Sequence, residues 1–268
     1  MLKDITIGQY YPTNSILHSL DPRTKIIGTI AFIISLFLER SLAAYSVITI
    51  FLMGVILLSK VPFSFIIKGL KPVLFLLIFS VGLNILFIPG EPLVKLGFVE
   101  ITKEGIIFAV FIAIRLIYLI LGSSLLSLMT LPMDFTDGLE RLFSPLKSLK
   151  VPVHEIAMMM SIALRFIPIL TEELEKIMKA QAARGADFNR GSLKDKIKGL
   201  VPIIVPMFVS AIRRANDLAM AMEARCYHGG QGRTKMKPLG YKKQDYIAYS
   251  ILVFYILSIL VIKYYSLC

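Results

Sequence analysis

The chain has 268 residues, of which 56% are hydrophobic and 18% charged, with a mean hydropathy of +0.73. A soluble domain carries about 25% charged residues, so a wholly soluble protein is excluded. Thirty Lys and Arg against eighteen Asp and Glu leave a net charge of +12. In so apolar a chain that excess belongs at the cytoplasmic face of a bilayer, not on nucleic acid. Cys226 and Cys268 indicate neither a disulfide framework nor a metal cluster.

A helix crossing the hydrocarbon core needs about 20 mostly apolar residues, and five runs are expected to supply one. The first, near Thr24 to Leu38, is short, and Arg23 and Lys25 at its start can snorkel. Ser41 to Ser59 follows after only Glu39-Arg40, which predicts a tight antiparallel hairpin. Pro72 to Pro89 is the third span. Gly105 to Leu131 is the fourth and contains one charge, Arg115; Tyr246 to Ile262 is the fifth. Asp4, Pro12, Asp21 and Pro22 precede the first span and no signal-peptide cleavage pattern is present, so that span is read as retained.

Arg115 has two readings. An intramembrane charge usually faces the bundle interior or marks a pathway. If the span instead begins at about Ile112, Arg115 stands near the outer interface, and this reading is preferred.

Lys and Arg near span ends resist translocation and set orientation. With the N-terminus inside, Arg23, Lys25, Lys60, Lys68 and Lys71 face the cytoplasm, as do Arg141, Lys147, Lys150, Arg233, Lys235, Lys237, Lys242 and Lys243 toward the two ends of 132–243. Arg40, Lys95, Lys103 and Lys263 remain outside. The expected topology is N-terminus cytoplasmic and C-terminus external. Three regions follow: 1–131 with four spans, 132–244 as a cytoplasmic helical region, and 245–268 with the fifth span. The fold class is an all-α integral membrane protein, five transmembrane helices plus long amphipathic cytoplasmic helices between spans four and five.

Residues 132–243 hold 19 of the 30 basic and 11 of the 18 acidic residues, yet they are not a hydrophilic loop. Val153 to Ala183 reads as one helix about 45 Å long, with Ile156, Met159, Met160, Ala163, Ile167 and Leu170 at helical spacing. Gly185 is a normal stop. A second helix over Ser192 to Tyr227, capped by Ser192 and bent at Pro202 and Pro206, ends before Gly229-Gly230. Both are expected to lie against the inner membrane face.

The two helices finish alike, as Ala183-Arg184-Gly185 and Ala224-Arg225-Cys226. Small residues around one arginine suit a helix end that enters a groove on another protein, where the guanidinium makes forked contacts to carboxylates. An arginine in a last turn also complements the helix dipole, and glycine terminates helices. Either tip alone is explained that way; two consecutive copies favour docking.

At this point the chain resembles a known family, the T component of energy-coupling factor (ECF) transporters, EcfT, with CbiQ-type cobalt-transport subunits as relatives. Tyr11-Pro12, Ser15, Leu17-His18 and Leu20-Asp21-Pro22-Arg23-Thr24-Lys25 look like the family's opening pattern, and the two tips look like its paired Ala-Arg-Gly signatures, Cys226 departing from the second. The resemblance implies a non-catalytic scaffold without metal, cofactor or substrate site of its own. It implies partners too: two ABC-type ATPases bound through Ala183, Arg184, Gly185, Ala224, Arg225 and Cys226, and an interchangeable substrate-binding S component for a vitamin or other micronutrient. A dedicated cobalt or nickel permease subunit is the alternative.

The residues agree independently. No G-x-x-x-x-G-K-[ST] and no H-E-x-x-H occurs, and His18, His154 and His228 are scattered. A membrane enzyme lacks a catalytic cluster to support it, and a lipid-surface anchor would show salt-sensitive lipid binding without ATPases. Met158, Met159, Met160, Met220 and Met222 suit either a surface that repacks against different partners or plain core filling. Arg23 and Lys25 are read as positive-inside anchors.

Overall fold

The computed structural model describes residues 10–38, 41–96, 99–185, 193–230, 236 and 238–267. These residues form two compact units, one built from the segments up to Arg141 and from Leu239 on, the other from Leu142 to Pro238.

In the first unit the helices are α1 (Pro22–Leu38), α2 (Leu42–Ser59), α3 (Phe63–Lys68), α4 (Leu74–Phe87), α5 (Lys103–Met129), α6 (Pro132–Leu142, whose last residue opens the second unit) and α9 (Lys243–Leu267). A 3₁₀ turn at Lys71–Val73 joins α3 to α4. Ser41 caps α2, its hydroxyl accepting the Ala44 N–H at 3.3 Å, and Thr102 caps α5 by accepting from Gly105 at 3.1 Å. The predominantly helical class holds. It is amended by one element that the sequence reading lacked, an antiparallel hairpin of β1 (Pro92–Leu96) and β2 (Val99–Thr102), pairing Lys95 with Glu100 and Leu96 with Val99. Both strands are too short to stand out against the long apolar runs on either side.

By length and composition α2, the α3–α4 run, α5 and α9 can each cross a membrane. So can α7 (Val153–Ala183) of the second unit, whose charges gather toward its C-terminal half and leave an apolar opening stretch. The first expected span, α1, has 17 residues and is about 25 Å long, slightly under a hydrocarbon core of about 30 Å. The five runs of the sequence reading and these five helices therefore differ by α1 and α7.

The core of the first unit lies where α1, α2, α5 and α9 meet, around Phe32, Leu36, Ile48, Leu52, Leu121, Leu125, Tyr255 and Ile259. The last span is not separate from the others. Tyr255 of α9 stacks on Phe51 of α2, ring centroids 4.1 Å apart, and its hydroxyl hydrogen-bonds Ser35 of α1 at 2.6 Å. The tight α1–α2 hairpin expected from the sequence is not the packing found: among the described residues α1 and α2 each pack mainly on α9 and α5 rather than on one another; Glu39 and Arg40 lie outside the described residues. α4 rests on α5 and buries none of its residues fully, exposing Phe75, Ile78, Phe79 and Phe87. In a bilayer such a face meets acyl chains and needs no protein cover.

The second unit contains a 3₁₀ segment at Ser144–Leu149, then α7 and α8 (Leu193–Ala224), which contact each other. The predicted bounds of α7 match the structure residue for residue. α8 starts at Leu193; its expected cap, Ser192, lies outside the described residues.

Candidate functional site

The second unit carries the paired tips. Ala183 is the last residue of α7 and Ala224 the last of α8. In each, the arginine that follows is the C-cap and the next residue is left-handed: Gly185 at φ +88° and Cys226 at φ +56°. The Gly185 N–H donates to the Ala182 carbonyl at 3.0 Å, and the Cys226 N–H donates to the Glu223 carbonyl at 2.9 Å. The second tip completes the motif with Tyr227 N–H donating to the Met222 carbonyl at 3.0 Å. Glycine takes this conformation freely, whereas a residue with a Cβ does so at a cost. Cys226 nevertheless preserves the same turn. Ala183, Arg184, Gly185, Ala224, Arg225 and Cys226 are all exposed.

α7 and α8 run antiparallel, since Glu173 meets Arg214 while Gln181, further along α7, meets Pro202, earlier in α8. Their C-terminal tips consequently sit at opposite ends of the pair. Met159, Met160 and Met220 are exposed, so they do not fill a core within this chain. His154 lies against Gly230, where an added Cβ would clash with the imidazole.

In the first unit the residues of the opening motif form one knot. His18 bonds the Ser15 hydroxyl at 2.7 Å and the Tyr11 carbonyl at 3.1 Å. Burial and the nearby Lys25 charge push the His18 pKa below its ordinary value. Asp21 is held bidentately by Arg23, and the Arg23 guanidinium lies 4.0 Å from the centroid of Tyr241. Burial tends to raise the Asp21 pKa, but its bonds to Arg23 outweigh this and the net shift is downward. The Lys25 ammonium donates to the His18 carbonyl and to the carbonyl of Met129, the last residue of α5.

Asp245, fully buried at the start of α9, was not singled out in the sequence because a lone acid beside a span reads as an ordinary flank. Its carboxylate accepts the Asp21 N–H at 2.8 Å, the Thr24 hydroxyl at 3.1 Å and the Lys242 N–H at 2.7 Å. Arg23 and Lys25 are therefore more than charge anchors: with Asp245 they tie the start of α1 to the end of α5 and the start of α9.

Arg115 sits where α1 ends and α2 begins. Its Nε donates to the Tyr45 hydroxyl at 3.1 Å, and its guanidinium lies 5.5 Å from the centroid of Phe37. Arg115 is the thirteenth of the 27 residues of α5, which already begins at Lys103, so the preferred reading of a span starting near Ile112 with Arg115 beside the outer interface is not supported by the helix; the side chain faces α1 and α2 from the middle of α5.

These features define a class: a multi-pass helical membrane protein that displays a separate antiparallel pair of long helices. The CbiQ family profile, described as cobalt transport protein, matches residues 13–236. Proteins named energy-coupling factor transporter transmembrane protein EcfT are similar over nearly the full length. That of Clostridium kluyveri is 53% identical over 250 residues, covering 92% of this chain and 93% of its own. That of Heliobacterium modesticaldum is 52% identical over 246 residues, 92% of each chain, and that of Bacillus subtilis 48% identical over 246 residues, 91% and 93%. The chain belongs to this CbiQ/EcfT family of membrane transport proteins.

Proposed function

We propose that the chain is the T component of an ECF-type importer: a non-catalytic scaffold that couples ATP hydrolysis by two cytoplasmic ATPases to uptake of a vitamin or other micronutrient held by a separate S component. The EcfT names of relatives at 44–53% identity support this over a dedicated cobalt or nickel permease subunit. Residues 132–244 act as the coupling region, the N-terminus lies in the cytoplasm and the C-terminus outside, as the distribution of Lys and Arg favours.

The observation that carries the coupling role is the construction of the two tips. Each presents one exposed arginine as helix C-cap before a left-handed residue, at opposite ends of an antiparallel pair. Ala183 and Ala224 let a partner's backbone approach, and the guanidinium offers a planar fork to carboxylates. Two like tips suit two like partners.

A pull-down of the tagged chain from native membranes tests this. Two ABC-type ATPases are expected with the wild type and are lost when Arg184 and Arg225 are both changed to Glu, while the variant stays in the membrane. Unchanged recovery of the ATPases by that variant refutes the role of the tips.

A further inference from the structure

Between the two tips lies the ion pair of Glu173 and Arg214. Arg214 Nη2 of α8 donates to the Glu173 carboxylate of α7 at 2.7 Å, and Ser210, one turn before Arg214 on α8, hydrogen-bonds the same carboxylate. Its position is symmetric. Glu173 precedes Arg184 by eleven residues and Arg214 precedes Arg225 by eleven. The pair thus stands about 16 Å of helix from each tip.

The prolines are arranged to the same effect. Pro168 precedes Glu173 in α7, and Pro202 and Pro206 precede Arg214 in α8, so both stretches from ion pair to tip are free of proline. A proline inside a helix removes a hydrogen bond and allows a bend. Both arms are therefore stiff, and the bending points lie on the far side of the pair. Pro206 has no N–H to give the Pro202 carbonyl four residues back. Gln181, three residues before the first tip, approaches that carbonyl instead, its Nε2 at 3.4 Å.

We infer that Glu173 and Arg214 fix the spacing of the two arginine tips, so that both engage their ATPases as one bivalent unit. The inference rests on the coupling role proposed above. Neither residue lies at a tip; both are positioning residues. When two contacts are held at a preset separation, the second forms at high effective concentration, and affinity rises without any new contact. A broken clamp leaves both tips intact but their separation unset. Because both side chains are partly exposed, the pair adds little to folding stability, so its loss can be read apart from unfolding.

The test is the dissociation rate of the ATPases that co-purify with the full wild-type chain, measured from the immobilised chain in detergent for the wild type, Glu173→Arg, Arg214→Glu and the double exchange E173R/R214E. The single-tip variant Arg184→Glu marks one-handed binding. Either single reversal is expected to release the ATPases on the order of tenfold or more faster, approaching the single-tip rate, with little change in melting temperature, and the double exchange to restore slow release. Wild-type release rates in both single reversals, or a double exchange no slower than either single, overturn the inference while leaving the coupling role standing. Failure of the wild type to retain any ATPase overturns the coupling role itself.

Discussion

Asp245 and Asp21, 224 residues apart in sequence, meet at 2.8 Å through a single hydrogen bond from the Asp21 N–H to the Asp245 carboxylate. The bond places the first residues of α1 against the first residues of α9. Because the same carboxylate also takes the Thr24 hydroxyl and the Lys242 N–H, one buried acid stitches the beginning of the bundle to its last helix.

Replacing Asp245 by Ala takes the acceptor from the buried Asp21 N–H and Thr24 hydroxyl and from the more exposed Lys242 N–H. An unsatisfied buried donor costs about 1–3 kcal/mol, so a loss on the order of 3 kcal/mol and a clearly lower melting temperature in detergent are expected. Asn keeps one acceptor oxygen and lies between the two. Equal melting temperatures for Asp245→Ala and wild type contradict the stitch.

Cys226 holds a left-handed turn for which glycine is the natural residue. Left-handed backbone costs a residue with a Cβ roughly 1–2 kcal/mol. Cys226→Gly therefore relieves strain and is expected to retain ATPases at least as well as the wild type, whereas Cys226→Val, with its branched Cβ, unwinds the tip and weakens retention. Pull-down recovery of the three forms checks the order.

The knot around His18 and Asp21 makes the fold sensitive to acid. Both groups have folded-state pKa values below their ordinary ones of 6.5 and 3.8. A depressed pKa means that the unfolded chain binds the proton more tightly, so the stability is present above the ordinary value and lost as pH falls through the folded one. The melting temperature is expected to decline from His18 as pH drops below about 6.5 and again from Asp21 below about 3.8. His18→Gln removes the first decline and leaves the second. A first decline that persists in His18→Gln assigns it to another group.

Arg115 depends on Tyr45. Tyr45→Phe removes the hydroxyl that accepts from Arg115 Nε and leaves a charged donor unpaired among helices, a cost of about 1–3 kcal/mol. Tyr45→Phe with Arg115→Met is expected to recover much of that loss, since removing both partners of a buried contact is far cheaper than removing one. Thermal unfolding of the single and double variants in one detergent provides the comparison.

Much of this protein is legible in its sequence. Spans appear as uncharged runs because lipid tolerates little else, and the end of α7 is legible because Gly185 follows it as a stop. The paired tips were visible as repeated short strings of small residues around arginine. The β1–β2 hairpin was not, since strands of five and four residues leave a weak pattern beside helices several times longer.

Composition and periodicity thus determined on their own that the chain enters a membrane, that a basic helical region interrupts its spans, and that two helices end in the same way. These are local properties, set by the hydrophobicity of single runs and by the chemistry of single helix ends. Only the tertiary structure decided that α9 closes against α1 and α2, that Asp245 answers Asp21, and that Glu173 faces Arg214 midway between two arginines. Such pairings join residues 41 to 224 positions apart. They depend on which faces of helices meet, and that is settled by packing the whole bundle at once, since a single charged residue carries no sign of its distant partner.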